Sequence, residues 1–111
     1  MFARSHRLRR SRDVVAVVQH GTRTTTSHLR LYWRNRAITQ PARGVIVVGK
    51  KVHKSAVVRN RLKRRLRAAL KEVRPPAGID YVVLPKLNVL DLPFTILTDE
   101  ISFIMAKIPR R

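Results

Sequence analysis

A chain of 111 residues with 44% hydrophobic content can build one modest core and not two. Twenty-five lysines and arginines against six acids give a formal charge of +19, and a compact body carrying that charge repels itself until a large polyanion screens it. The absence of cysteine excludes a disulfide scaffold and a thiolate zinc site and fits a reducing, cytoplasmic compartment, and no apolar run reaches the ~18 residues of a membrane span.

The charge is unevenly placed. Residues 1–74 carry all of the net charge, with Asp13 and Glu72 as their acids, whereas residues 75–111 balance four bases against four acids. The basic part is interleaved with Val, Leu, Ile, Tyr and Trp at regular spacing, so it is expected to fold within one domain, residues 1–111. Residues 1–10 are expected to form a basic, flexible arm. The opening MFARSHRLRRSRD is Arg-rich and acid-poor, as a mitochondrial transit peptide would be, but has no secretory apolar segment.

Residues 11–20 read as a short helix, with Ser11 as N-cap, Asp13 in the first turn and Gly21 as the stop. After a Thr-rich stretch, residues 29–34 alternate with period two: Leu29, Leu31 and Trp33 on one face, Arg30, Tyr32 and Arg34 on the other. A polar connection over 35–43 precedes Val45 to Val48, an apolar run that predicts a strand buried on both faces. From Ser55, the residues Val58, Leu62, Leu66, Ala69, Leu70 and Val73 recur at helical spacing until Pro75-Pro76. Tyr81 to Leu84 predicts another strand. Phe94, Leu97, Ile101, Ile104, Met105 and Ile108 mark the buried face of a closing helix between Pro93 and Pro109. The order αβββαβα predicts an α/β (α+β) sandwich in which helices cover a small mixed sheet.

The long helix carries the strongest functional signal. On a wheel of 100° per residue its apolar stripe lies on one side, while Asn60, Lys63, Arg64, Arg67 and Lys71 project from the other and Arg59 and Arg65 flank the stripe. Same-sign pairs at i,i+4 weaken an isolated helix by a few tenths of a kcal/mol each. A face that only needed solvation would mix in Glu; contact with phosphates offsets the repulsion by releasing condensed counterions.

The series Lys50-Lys51, Arg59-Asn60-Arg61, Lys63-Arg64 and Arg67 resembles the signature of the protein subunit of bacterial ribonuclease P. The resemblance extends to Leu8 and Asp13, to Gly21, to Leu31-Tyr32 and to Asp80-Tyr81-Val82-Val83, nearly the whole chain. It implies the fold class of the second domain of ribosomal protein S5, with a left-handed βαβ crossover. It also implies a tRNA 5′-maturation endonuclease in which a catalytic RNA does the chemistry and the protein is a non-catalytic subunit. Carried over, Arg59, Asn60, Arg61, Lys63, Arg64 and Arg67 would grip the catalytic RNA, and Lys50, Lys51 and Lys54 would extend that surface. The 5′ leader of precursor tRNA would enter a cleft between the first helix, with Arg12, Val14 and Val18, and the sheet face bearing Arg30, Tyr32 and Arg34. The protein itself would hold no cofactor, Mg²⁺ coming with the RNA, and it would take no small-molecule substrate and no membrane partner.

The residues argue for that cleft independently: cation, ring and cation on one strand face suit a single strand whose phosphates meet Arg while a base stacks on Tyr. A tyrosine tucked against the first helix is the competing reading. The family usually has phenylalanines where this chain has Val14 and Val18, which leaves an apolar wall without rings.

Other signals carry less. Gly44 to Lys51 (GVIVVGKK) meets part of a phosphate-loop pattern, but Lys51 replaces the required Ser/Thr and four strand formers fill the loop. Asp80, Asp91, Asp99 and Glu100 show no metal-site spacing, His6, His20, His28 and His53 are scattered, and Trp33 is expected in the core. A ribosomal or other structural RNA-binding protein is the main alternative, and a stand-alone nuclease a third.

Overall fold

The computed structural model describes residues 7, 8, 10–86 and 89–109; most of the arm expected over 1–10 lies outside the described residues. Three helices and four strands follow in the expected order: α1 (Ser11–His20), β1 (Thr22–Thr25), β2 (Leu29–Asn35), β3 (Arg43–Ile46), α2 (Ala56–Val73), β4 (Ile79–Pro85) and α3 (Phe94–Ala106). The sheet order is β1-β2-β4-β3. β1 pairs with β2 and β2 with β4 antiparallel, while β3 and β4 run parallel and are joined through α2.

Leu29, Leu31 and Trp33 of β2 and Ile79, Tyr81 and Val83 of β4 point to one side of the sheet. There they pack with Leu62, Leu66 and Leu70 of α2 and Leu97, Ile101 and Ile104 of α3. Complete burial of each such side chain is worth about 1.5–3 kcal/mol, so this layer holds the fold together. The opposite side carries a smaller cluster in which Leu8, Val17 and Val82 are buried and Val14, Tyr32, Val45 and Leu84 pack around them. α1 is therefore a lid on part of the second face, and the sheet lies between two helical layers.

Three expectations need correction. Ser11 is the first helical residue and not the cap: Arg10 holds the cap position in an extended conformation, without a side-chain cap. Nearby, the Leu8 N–H donates to the Gly44 carbonyl at 2.9 Å. Gly21 does end α1, with φ −81°; glycine is needed because a side chain would meet the Val17 and Trp33 carbonyls. The run 45–48 is not buried on both faces. Ile46 and Val48 face the main core, Val45 is half-buried, and Val47 is 38% exposed, because α1 covers only part of that side. Phe94 is likewise 38% exposed, since Val89, Leu90 and Leu92 of the preceding turn already pack on the core at that end of α3.

Candidate RNA interface

The first surface is built at the start of α2. Ser55 caps the helix by accepting from the Val58 N–H at 3.4 Å. His53 Nδ1 accepts from the Ser55 N–H at 3.0 Å, so this histidine orders the loop, as a local acceptor. Arg59 Nη1 then donates to the carbonyls of His53 (3.0 Å) and Lys54 (2.7 Å). One arginine of the motif thus folds the lysine loop back onto the first turn of the helix. Lys50, Lys51 and Lys54 are all exposed on that fixed loop.

Beyond this staple, Asn60, Arg61, Arg64 and Lys71 are exposed, and Lys63 and Arg67 half-buried. The side chains of Asn60, Arg61, Lys63, Arg64 and Arg67 bond to no other described residue. Arg65 differs: its Nη2 donates to the Leu92 carbonyl, tying α2 to the segment that leads into α3. The face predicted on the wheel is therefore one continuous cationic surface. Among the described residues no carboxylate neutralises it.

The second surface is the part of the sheet that α1 leaves open. Tyr32 stands between Arg30 and Arg34 on β2, half-buried, with one side packed on the Leu8, Val17 and Val82 cluster. Tyr32 thus packs on α1's layer without being fully covered. Arg30 and Arg34 are half-buried, and the Arg30 Nε is shielded from water without a protein partner. On the α1 wall Arg12 is exposed, Val14 half-buried and Val18 36% exposed, with Val15 at 49% beside them.

One residue of this surface escaped the sequence reading. Arg23 lies opposite Tyr32 in the β1–β2 register, a placement that only the pairing of two strands could disclose. Trp33 is buried on the other face, as expected.

The acids are engaged elsewhere. Asp80, 3% exposed, accepts two bonds from Arg43 at 2.9 Å each and has Arg36 at 3.8 Å. The hydrogen bond to Asp80 raises the Arg43 pKa. Glu100 on α3 accepts from the Thr26 hydroxyl (2.7 Å), the His28 N–H (3.0 Å) and His28 Nδ1 (2.7 Å); because a carboxylate only accepts, the imidazole is the donor. Burial alone would raise the Glu100 carboxyl, but these bonds outweigh it and hold the group below its ordinary value. Both carboxylates serve the fold, Asp80 at one end of the sheet and Glu100 between the β1–β2 turn and α3.

Comparison with known proteins adds a separate line. A family model described as Ribonuclease P matches residues 2–109. A ribonuclease P protein component from Cyanothece sp. is 33% identical, with 96% of this chain and 95% of the relative covered; one from Microcystis aeruginosa is 34% identical, at 92% and 89%. The solved structure of the RNase P protein from Thermotoga maritima superimposes with a TM-score of 0.82 at 26% identity, covering 94% of this chain and 98% of that one.

Proposed function

Because this chain belongs to the family of bacterial ribonuclease P protein components, we propose that it works as the RNA-binding subunit of that ribonucleoprotein. Its α2 face, Asn60, Arg61, Lys63, Arg64 and Arg67, together with Lys50, Lys51 and Lys54, grips the catalytic RNA. Arg59 holds the loop and helix in one piece. The open face between α1 and the sheet takes the single-stranded 5′ leader of precursor tRNA: Tyr32 offers a stacking ring, Arg30 and Arg34 meet phosphates, and Arg12, Val14 and Val18 form the opposite wall. One base stacked on an aromatic ring is worth ~1–3 kcal/mol.

The observation that carries this reading is the row of cations along α2 without internal partners. Such a row weakens the isolated helix and gains from neutralising a phosphate backbone. The chemistry belongs to the RNA and its Mg²⁺, and the protein lowers the repulsion between two polyanions so that less Mg²⁺ is needed. Adding the purified protein to a bacterial ribonuclease P RNA at low Mg²⁺ should restore 5′ cleavage of precursor tRNA. If cleavage is no faster with the protein than without it, the reading is wrong.

A further inference from the structure

β1 is an edge strand, and Arg23 sits on it directly across the antiparallel ladder from Tyr32. Partners in a ladder share a face, so both side chains stand on the α1 side of the sheet. Arg23 is exposed and its guanidinium bonds to no other described residue. Arg30 and Arg34 are its diagonal neighbours across the ladder, ~7–8 Å away. Tyr32 is thus enclosed by three arginines, none of them bonded to a carboxylate among the described residues.

The face around this arc is only half covered. Val82 is fully buried in the cluster with Leu8 and Val17, and Val45 half-buried. The adjoining row is less covered: Thr25 pairs with Arg30, Arg30 with Leu84, the last two half-buried, and Val47, 38% exposed, follows the last residue of β3. This row runs from just past the end of β3, on the side of the lysine loop, across β4 and β2 to the β1 edge. Three strand spacings of about 4.8 Å make it roughly 14 Å wide. An apolar floor of Val47 and Leu84 with cations toward the rim suits unpaired nucleotides, whose bases face the floor and whose phosphates face outward.

Resting on the leader-binding reading above, we infer that Arg23, two residues from Thr25 on β1 and so beside the distal end of this track, binds a leader phosphate there, so that the leader passes the lysine loop and the end of β3, crosses β4 and β2, and leaves over the β1 edge. Arg23 then acts on leader nucleotides far from the cleavage site and on no others.

The test uses the full chain reconstituted with a bacterial ribonuclease P RNA and two precursor tRNAs, one with a leader of about ten nucleotides and one with a single-nucleotide leader. Arg23→Ala should weaken the long-leader substrate about fivefold at low salt, as loss of one exposed charge-assisted contact does. It should also reduce the slope of log affinity against log salt by ~0.7. The short-leader substrate should bind as to the parent protein, and Arg23→Lys should recover most of the loss. Parent-like binding of the long leader by Arg23→Ala, while Tyr32→Ala abolishes the preference for it, overturns the assignment of Arg23 and leaves the leader cleft standing. Equal losses on both substrates would mean diffuse attraction and overturn it too. A parent protein indifferent to leader length removes the cleft itself.

Discussion

The phenol ring of Tyr81 lies on the α-carbon of Gly44, its partner in the parallel β3–β4 ladder, where a β-carbon would overlap the ring. Tyr81 is 3% exposed, and burial pushes its hydroxyl pKa well above the ordinary value. The glycine that gave this segment its partial phosphate-loop appearance is there to admit a ring. Gly44→Ala should lower stability by about 1–3 kcal/mol through overpacking, read as a drop in melting temperature. Combining it with Tyr81→Leu should cost less than the two single losses added; strict additivity would show that the two residues do not press on each other.

The cations of α2 divide into two groups with opposite signatures. Arg64→Ala and Arg67→Ala should each reduce the salt dependence of binding to ribonuclease P RNA by ~0.9 in log–log slope with little change in melting temperature. Arg65→Ala should do the reverse, because its guanidinium serves the Leu92 carbonyl: a loss of about 1 kcal/mol in stability with an unaltered slope. Paired titrations and thermal melts on the three variants separate these outcomes.

Glu100 makes the join between the β1–β2 turn and α3 sensitive to acid. Its folded pKa lies below the unfolded one, so its contribution is complete above about pH 4.5, the ordinary value, and is lost as pH falls through the depressed folded value. Glu100→Gln should therefore lose stability less steeply than the parent below that pH, although it starts lower at neutral pH. Acid unfolding curves that run parallel for the two proteins would contradict this.

Charge alone makes a further demand. The native state holds cations close together that the unfolded chain disperses, so sulfate or phosphate should bind it preferentially and raise the melting temperature by several degrees. Chloride at equal ionic strength should do less, and a melting temperature insensitive to the anion would refute the clustering.

Much of this architecture is legible in the sequence, for identifiable reasons. The limits of α1 and the buried stripe of α2 follow from apolar spacing and from strong terminal signals, Gly21, Ser55 and Pro75. β1 is harder, because Thr22–Thr25 is a polar edge strand without apolar alternation. The run at 45–48 misleads, since four consecutive apolar residues suggest two covered faces while the extent of α1's cover is a tertiary fact. For the same reason the sequence places Arg59 and Arg65 at the stripe's edges without disclosing that carbonyls of His53, Lys54 and Leu92 await them. Arg23 is invisible until strand register sets it beside Tyr32.

α1 is lightly fastened. Val17 is its one fully buried side chain, in a cluster of three buried residues among those described, against eighteen in the main core. Its amides will accordingly exchange with solvent through local opening at a lower free energy than those of α2 and β4. α1 and α2 thus belong to separate cooperative units, and one can breathe while the other stays shut.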